Sequence, residues 1–240
     1  MPIISFANPK GGTGKSTSAL ILALEMAHRG GKVALVDCDP NQVTAGWAQA
    51  RKQIGLDIPF KAIANPSEDK IIDVLDELAA TYPFVIVDLE GTASLMMSRT
   101  MSRSDLTVIP MQPSPVDAKQ AARAVGLVRA EEKMLRREIP MRILMTRNNP
   151  AIKTRDERAI MEQLEAANVP ILETPLHERA AFRAVFTYNK TLRELSDKES
   201  AGLPKAKENA EGFAYHVIKA LKNEFTMAAE QKTASNTAAA

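Results

Sequence analysis

The sequence lacks three features that would by themselves assign it to a class of protein. Its single cysteine, Cys38, can form neither an intrachain disulfide nor a clustered metal site. No run of about 18 apolar residues occurs, so no transmembrane helix is predicted. The N-terminus has no basic segment followed by an apolar core, which argues against a signal peptide. Together these absences predict a cytoplasmic protein.

Net charge is also small, at +2 over 240 residues, and by itself indicates no nucleic-acid partner. Its distribution along the chain is uneven. Residues 1–118 hold 10 Lys/Arg and 13 Asp/Glu (net −3), residues 119–160 hold 11 and 5 (net +6), and residues 161–240 hold 10 and 11 (net −1). The basic middle segment predicts a localised positive patch, provided that its residues share a face.

The most informative stretch runs from Asn8 to Thr17 and reads NPKGGTGKST. It follows a short apolar run, residues 3–7, and precedes an apolar helical pattern over residues 18–29. A strand, a glycine-rich loop and a helix in this order predict a phosphate-binding loop. The glycines let consecutive N–H groups point into one concavity, Lys15 can reach the β- and γ-phosphates, and the Ser16 hydroxyl can bind Mg²⁺. The loop residues predicted to bind nucleotide are Gly11, Gly12, Thr13, Gly14, Lys15, Ser16 and Thr17.

Two apolar strands end in aspartate. The first, residues 32–37, ends at Asp37 and is followed by Cys38, Asp39 and Pro40. The second, residues 84–88, ends at Asp88 and has the pattern that holds Mg²⁺ in P-loop ATPases, usually through water. The carboxyl ends of such strands are where open α/β sheets bind ligands. Cys38 is interpreted as a small buried side chain and not as a nucleophile.

The loop has one unusual feature, since Pro9 replaces the usual first glycine and Lys10 stands directly before the glycine pair. This KGGxGK[ST] form resembles the deviant loop of the ParA/MinD family of ATPases. The segments DCDPNQ, residues 37–42, and QPSPVD, residues 112–117, are similar to matching stretches of that family. The sequence around Gly91 is closest to the small ParF-like plasmid partition group.

The resemblance implies roles for individual residues. Lys10 would cross a dimer interface to the phosphates of the partner's nucleotide, so that Lys10, Lys15 and Asp39 form the catalytic set. Asp37 would lie near the Mg²⁺ shell with Ser16 and Asp88, and Asp39 would position the attacking water. A simpler interpretation is that Asp39 only caps the next helix. The adenine contacts implied by the resemblance are Asn148, with Asn149 as the alternative, and Pro175. His177 is interpreted as a hydrogen-bonded structural histidine in preference to a titrating switch.

ParF-like ATPases bind ATP and Mg²⁺, form a homodimer, coat DNA without sequence preference and hydrolyse ATP to ADP slowly until a centromere-bound ParB/ParG-type adaptor stimulates them. The resemblance therefore implies a nucleoid-associated partition ATPase. The basic middle segment supplies the predicted DNA contacts, with a merely solvated helix face as the alternative. These contacts are Lys119, Arg123, Arg147, Lys153, Arg155 and Arg158. Alternative functions are MinD-like or cluster positioning, or an ATPase that assists conjugative DNA transfer.

Alternating buried strands and amphipathic helices predict an α/β fold with a doubly wound, mostly parallel sheet and helices on both faces. Residues 1–225 are predicted to form one ATPase domain, with a short strand over residues 169–172 and a closing helix over residues 205–225. Residues 226–240 are alanine- and threonine-rich and are predicted to be a disordered tail. They lack the cationic, apolar-faced terminus that membrane attachment needs.

Overall fold

The computed structural model describes residues 1–149 and 154–238, and within the last helix it describes only the backbone of residues 227–229 and 231–238. The strands are β1 (Ile3–Phe6), β2 (Val33–Asp37), β3 (Lys61–Ala64), β4 (Phe84–Asp88), β5 (Leu106–Met111) and β6 (Met141–Met145). The helices are α1 (Lys15–His28), α2 (Val43–Gln53), α3 (Ile71–Thr81), α4 (Leu95–Met101), α5 (Pro115–Leu135), α6 (Arg155–Ala166), α7 (Ala180–Tyr188) and α8 (Leu203–Ala238).

The six strands form one sheet in the order β3-β2-β4-β1-β5-β6, and every pairing is parallel. The chain winds outward from β1 in one direction and later in the other, so the predicted doubly wound fold is confirmed. The loops after β1, β2, β4, β5 and β6 therefore all emerge at the carboxyl edge of the sheet, where such folds bind ligands.

Two hydrophobic cores cover the two faces of the sheet. In β4, Ile86 packs into one core, and its neighbours Val85 and Val87 pack into the other. Successive side chains of a strand point to opposite faces, so continuous apolar runs are what a sheet covered on both sides requires. Helices α1, α2, α7 and α8 contribute to the first core, and α3, α4, α5 and α6 contribute to the second.

Several helix boundaries follow from their capping residues. The Ser114 hydroxyl accepts a hydrogen bond from the backbone N–H of Asp117, and Pro115 occupies the first turn, so α5 begins at Pro115. Thr154 caps α6 in the same way through the N–H of Glu157. Trp47 of α2 is a packed aromatic anchor, since it is 3% exposed and its Nε1 donates to the Val185 carbonyl at 2.9 Å.

The structure differs from the predicted elements in four places. Residues 169–172 form no named strand and contribute one isolated parallel bridge, Ile143 to Ile171. Helices α4 and α7 were not predicted. Helix α8 continues past Phe225 to Ala238, through most of the stretch for which disorder was predicted. None of the helices in the described part of the chain combines the length and apolar character needed to span a membrane. The division into a domain at 1–225 and a tail stays a prediction.

Candidate functional site

The loop between β1 and α1 forms a cradle of backbone groups. Gly12 and Gly14 have φ angles of +79° and +98°, in the left-handed region that only glycine enters without strain. Gly14 is the N-cap of α1, so the free N–H groups of that helix face the loop. A Cβ at Gly11 or Gly12 would meet nothing within 4 Å, because the concavity is open there. This is the backbone conformation that the predicted binding of phosphate requires.

Neighbouring strands hold this loop in shape. The Asn8 amide donates to the Pro110 carbonyl at 2.8 Å and its Oδ1 accepts from the Lys10 N–H at 3.0 Å. From the other side, the Thr146 hydroxyl donates to the Thr13 carbonyl at 2.8 Å. Gln112 donates to the Gly12 carbonyl at 3.0 Å. Sequence reasoning assigned no supporting role to Asn8, Gln112 or Thr146, because only the sheet order brings their strands beside β1.

Lys15 and Asp88 are the buried charges at the base of the cradle. Lys15 is 5% exposed and its Nζ donates to the Lys10 carbonyl at 3.1 Å. Burial lowers the pKa of Lys15, partly offset by the charge of Asp88. Burial also raises the pKa of Asp88 to about 7, although the nearby Ser16 hydroxyl works in the opposite direction. Neither Asp88 oxygen has a partner in hydrogen-bond geometry among the described residues.

Orphaned oxygens of this kind fit a hydrated cation. The buried hydroxyls of Thr13 and Ser18 are likewise without a partner in the described part of the chain. No group of three or more His, Cys, Asp or Glu side chains that could hold a metal occurs among the described residues. Hence any Mg²⁺ here would depend on the Ser16 hydroxyl, on phosphate oxygens and on water, which suits the coordination preferences of Mg²⁺.

The two aspartates after β2 have different environments. Asp37 is 1% exposed, and its Oδ2 accepts from the N–H groups of Thr44 and Ala45 and from the Thr44 hydroxyl, all within 2.9 Å. Its Oδ1 accepts from the Asp39 N–H at 3.1 Å. The carboxylate that caps α2 is therefore Asp37, so the interpretation of Asp39 as that cap is wrong. Asp39 is half-buried and accepts from the backbone and side chain of Asn41.

Lys10 is held within its own chain. Its Nζ lies 2.9 Å from Oδ2 of Asp117, in the first turn of α5. The Lys10 side chain is 34% exposed, whereas Asp117 is 5% exposed and also accepts from the Ser114 hydroxyl. The predicted role of Lys10 across a dimer interface requires this ion pair to be exchanged for another one.

The loop after β4 touches the phosphate loop directly at Gly91. A Cβ on Gly91 would lie 2.8 Å from the Gly11 nitrogen and 3.0 Å from the Gly11 Cα. These are backbone atoms, which can move only if the loop itself shifts. A side chain at position 91 would therefore displace the phosphate loop itself.

Replacing Gly91 by alanine is expected to weaken binding of a non-hydrolysable ATP analogue by about tenfold or more, because the cradle must shift. Isothermal titration calorimetry measures this. The matched control is Gly126→Ala in α5, where a Cβ meets nothing within 4 Å. That control is expected to stabilise the protein by about 0.5–1 kcal/mol and to leave nucleotide affinity unchanged. Equal affinities for the two variants would contradict the proposed contact.

A cavity of about 190 Å³ opens beside the cradle. Its lining includes Gly14 and Thr17 together with Arg147, His177 and Phe182. It continues directly from the phosphate loop and is the natural position for a nucleoside.

The predicted adenine contacts lie next to this cavity. Asn148 and Pro175 line a neighbouring cavity of about 510 Å³, and Asn149 lines it as well. The Asn148 amide is 7% exposed and already pairs with Glu157 at 3.2 Å and with His177 Nδ1 at 2.8 Å. His177 is therefore hydrogen-bonded as predicted. Arg147, His177 and Phe182 line the cavity beside the cradle instead, and no motif in the sequence identified Phe182.

The predicted DNA contacts do not form one continuous group. Lys119 and Arg123 are exposed on α5, and Arg155 and Arg158 are exposed on α6, which packs beside α5 over the same core. Arg147 lies apart from them, because it lines the nucleoside cavity. Lys153 lies outside the described residues. Cys38 is buried, and burial raises the pKa of its thiol, in agreement with an inert side chain.

Comparisons with known proteins agree with this geometry. The VirC1 protein family matches residues 1–220. The chain is 37% identical over 223 residues to Protein ParA of Rhizobium radiobacter, across 92% of this chain and 98% of that one. Apo McdA of Cyanothece superposes with a TM-score of 0.72 at 17% identity, over 90% of this chain and 99% of that one. A plasmid partition protein of Borrelia burgdorferi B31 bound to AMPPNP superposes with a TM-score of 0.68 at 21% identity, over 91% and 98%.

The two solved structures support the fold. The sequence matches also identify the family. A family match over nearly the whole chain and substantial identity to a ParA protein confirm the resemblance inferred from the phosphate loop. The chain belongs to the VirC1/ParA family of ParA/MinD-type partition and positioning ATPases.

Proposed function

We propose that this protein is a DNA-partition ATPase that binds ATP and Mg²⁺ in the cradle, dimerises face to face and binds DNA without sequence preference in the ATP state. The observation that carries the proposal is the cradle itself. Left-handed glycines at 12 and 14 and the buried Lys15 belong to the same loop region, and the Asp88 carboxylate that interacts with Lys15 has no hydrogen-bond partner among the described residues. This set of groups suits a phosphate chain together with a hydrated cation.

Each residue has a defined task in this proposal. The N–H groups of residues 11–17 and the Lys15 ammonium hold the phosphates of ATP and later of ADP. The Ser16 hydroxyl holds Mg²⁺ directly, and Asp37 and Asp88 act through water, since both Asp37 oxygens already accept hydrogen bonds. A Mg²⁺ ion held there would supply positive charge against the phosphates. Asp39, half-buried at the mouth, is placed to orient the attacking water.

Features at the carboxyl edge of the sheet favour a homodimer through this face. Lys10 is one-third exposed, and two apolar side chains at helix starts on the same edge are also exposed, Val43 at 41% and Val116 at 63%. Contacts from Lys10 to a partner's nucleotide exist only in the dimer, so ATP shifts the association equilibrium towards it. Because Lys10 pairs with Asp117 in the single chain, unassisted assembly and hydrolysis are slow.

The proposed DNA surface lies where α5 and α6 run side by side. It comprises Lys119, Arg123, Arg155 and Arg158, all of which are exposed, with Lys153 as a further candidate. Acidic residues also occur on α6, so one chain presents few net positive charges. Dimerisation doubles the number of phosphates contacted, and the logarithm of affinity falls by roughly 0.9 per contact per log unit of salt. Nucleoid association follows from this binding.

The stimulating partner is a ParB/ParG-type adaptor bound to the DNA or to another cargo. Family membership supports this assignment. The adaptor determines which cargo is moved.

The proposal is tested with an Asp39→Ala variant, which is expected to bind ATP and to hydrolyse very little of it during the measurements. With ATP and Mg²⁺ this variant is expected to elute as a dimer and to bind a random-sequence duplex, and without nucleotide it is expected to do neither. Size-exclusion chromatography with light scattering and fluorescence anisotropy measure the two properties. A variant that stays monomeric with ATP would remove the basis of the proposal.

Adding Arg155→Glu and Arg158→Glu to the same variant separates the two activities. The dimer is expected to persist, whereas DNA affinity is expected to fall by about a hundredfold at moderate salt, because four contacts per dimer change sign. Lys198→Glu with Lys205→Glu is the matched control, since both lysines are exposed and lie on other parts of the surface. Equal losses in the two double variants would reject the proposed DNA surface.

A further inference from the structure

A third cavity, separate from the nucleotide site, lies between α4 and α5 and has a volume of about 320 Å³. Its lining is largely apolar, with Ala93, Leu95, Met97, Met101 and Leu127, and it contains one charged group, Glu131. Methionine side chains are flexible and adapt to ligands of varied shape. Nothing in the proposed ATPase cycle uses this cleft.

Only one of the two carboxylate oxygens of Glu131 has a hydrogen-bond partner in the described part of the chain. Its Oε1 accepts a hydrogen bond from the Ser98 hydroxyl at 2.7 Å. Its Oε2 is buried and has no hydrogen-bond partner among the described residues. A buried carboxylate oxygen without a donor is unfavourable, so this atom favours a ligand that brings a donor, and most of all a cationic one.

The apolar surface continues beyond the cavity along α5. Leu127, Glu131 and Met134 are spaced by four and three residues and therefore share one helix face. Met134 is 67% exposed, and Leu95 at the opposite wall is 52% exposed. The result is a cleft with an acidic centre and exposed apolar side chains on either side of it.

We propose that this α4–α5 cleft binds an amphipathic segment of a partner protein, which places a lysine or arginine on Oε2 of Glu131 and apolar side chains against Leu95 and Met134. Charge complementarity selects this occupant. A bare metal ion would find a single carboxylate, and an apolar ligand would leave the buried oxygen unsatisfied.

Binding of a partner in the cleft would affect nucleotide affinity, because the cleft and the phosphate loop are connected by a short stretch of chain. Ala93 lines the cleft and stands two residues after Gly91, where an added Cβ would lie 2.8 Å from the backbone nitrogen of Gly11 in the phosphate loop. A partner that orders residues 91–95 therefore changes nucleotide affinity, and nucleotide changes partner affinity by the same factor. This coupling rests on the proposed ATP binding, whereas binding in the cleft does not.

The test uses a fluorescein-labelled peptide of about 14 residues, with leucine on one helical face and lysine on the other, and a second peptide with glutamate in place of lysine. Anisotropy is measured with the full chain without nucleotide, so the result does not depend on ATP binding. The lysine peptide is expected to bind, and Glu131→Gln is expected to weaken it by about tenfold or more. Glu77→Gln, which removes one exposed charge from α3, is the matched control and is expected to change nothing.

A second variant tests the cleft at an exposed position, where a substitution is not expected to disturb folding. Met134→Lys alters an exposed residue and is expected to abolish binding by repulsion, whereas Met161→Lys on α6 is expected to have no effect. Hydrogen exchange should show peptide-induced protection at residues 93–101 and 127–135. Equal binding to the Glu131→Gln and Glu77→Gln variants, or equal binding of the glutamate peptide, would overturn the proposal. Self-association that Met134→Lys abolishes would assign the cleft to a second copy of this chain and would also overturn it.

Discussion

Replacing Lys10 by alanine is expected to abolish ATP-dependent dimerisation while leaving the affinity of the single chain for ATP within about threefold of the original. A dimer would lose two charge-assisted contacts to phosphate, one per nucleotide, each worth about 1.5–3 kcal/mol. The dimer dissociation constant should therefore rise by about a hundredfold or more. Analytical ultracentrifugation of the Asp39→Ala background with ATP and Mg²⁺ measures this constant.

The fold should tolerate this change, since Lys10 is itself one-third exposed and Asp117 keeps the hydrogen bond from the Ser114 hydroxyl. Lys32→Ala, at an exposed lysine before β2, is the matched control. Asp117→Asn examines the same ion pair from the other side. This change removes the in-chain competitor for Lys10, so dimerisation should strengthen severalfold. The start of α5 should be preserved, because the carbonyl oxygen of the new amide can still accept from the Ser114 hydroxyl. An unchanged dimer constant in Lys10→Ala would refute the cross-interface role.

Replacing Asp88 by asparagine is expected to change stability and function in opposite directions. Burial raises the pKa of Asp88 to about 7, from an ordinary value of 3.8. The folded state therefore binds a proton more tightly than the unfolded state does. The free energy of unfolding falls as pH rises from about 4 through 7, by up to about 4 kcal/mol from this group. A neutral amide avoids this loss.

At pH 8 and without magnesium or nucleotide, Asp88→Asn is expected to be more stable than the natural chain by about 2–4 kcal/mol, and near pH 4 the difference should vanish. Urea unfolding at a series of pH values measures it. Asp57→Asn, at an exposed aspartate, is the control and should show no such dependence. A difference that is constant with pH would mean that the Asp88 carboxylate is not the cause.

The functional effect of Asp88→Asn is a loss. Mg²⁺ with an ATP analogue at a hundred times its dissociation constant should stabilise the natural chain by about 2.7 kcal/mol. Most of the magnesium-dependent part of this gain is expected to disappear in the variant. Thermal unfolding with the analogue, with and without magnesium, separates the two contributions. Retention of the full magnesium-dependent gain would place Asp88 outside the metal site.

The sequence alone predicts most of the fold, because strands buried on both faces are continuous apolar runs that need no partner to be recognised. Residues 84–88 are an example, and the structure confirms them as a strand. Residues 169–172 were less predictable. Whether an apolar run at the sheet edge forms a strand depends on its neighbour, and here the pairing with β6 amounts to one bridge. The short helix α4 lacks a repeating apolar pattern long enough to detect.

For the candidate site, the sequence by itself determined the local chemistry. Glycines, Lys15 and Ser16 in one loop between a strand and a helix predict phosphate binding whatever surrounds them, since backbone conformation and helix start are local properties. Only the tertiary structure decided which distant residues complete the site. The parallel order β2-β4-β1-β5-β6 brings Asp37, Asp88, Asp117 and Thr146 to one edge, and hydrogen bonds across that edge are long-range in sequence. For this reason the cap formed by Asp37, the pairing of Lys10 with Asp117 and the contact of Gly91 with Gly11 emerged from the fold and not from any motif.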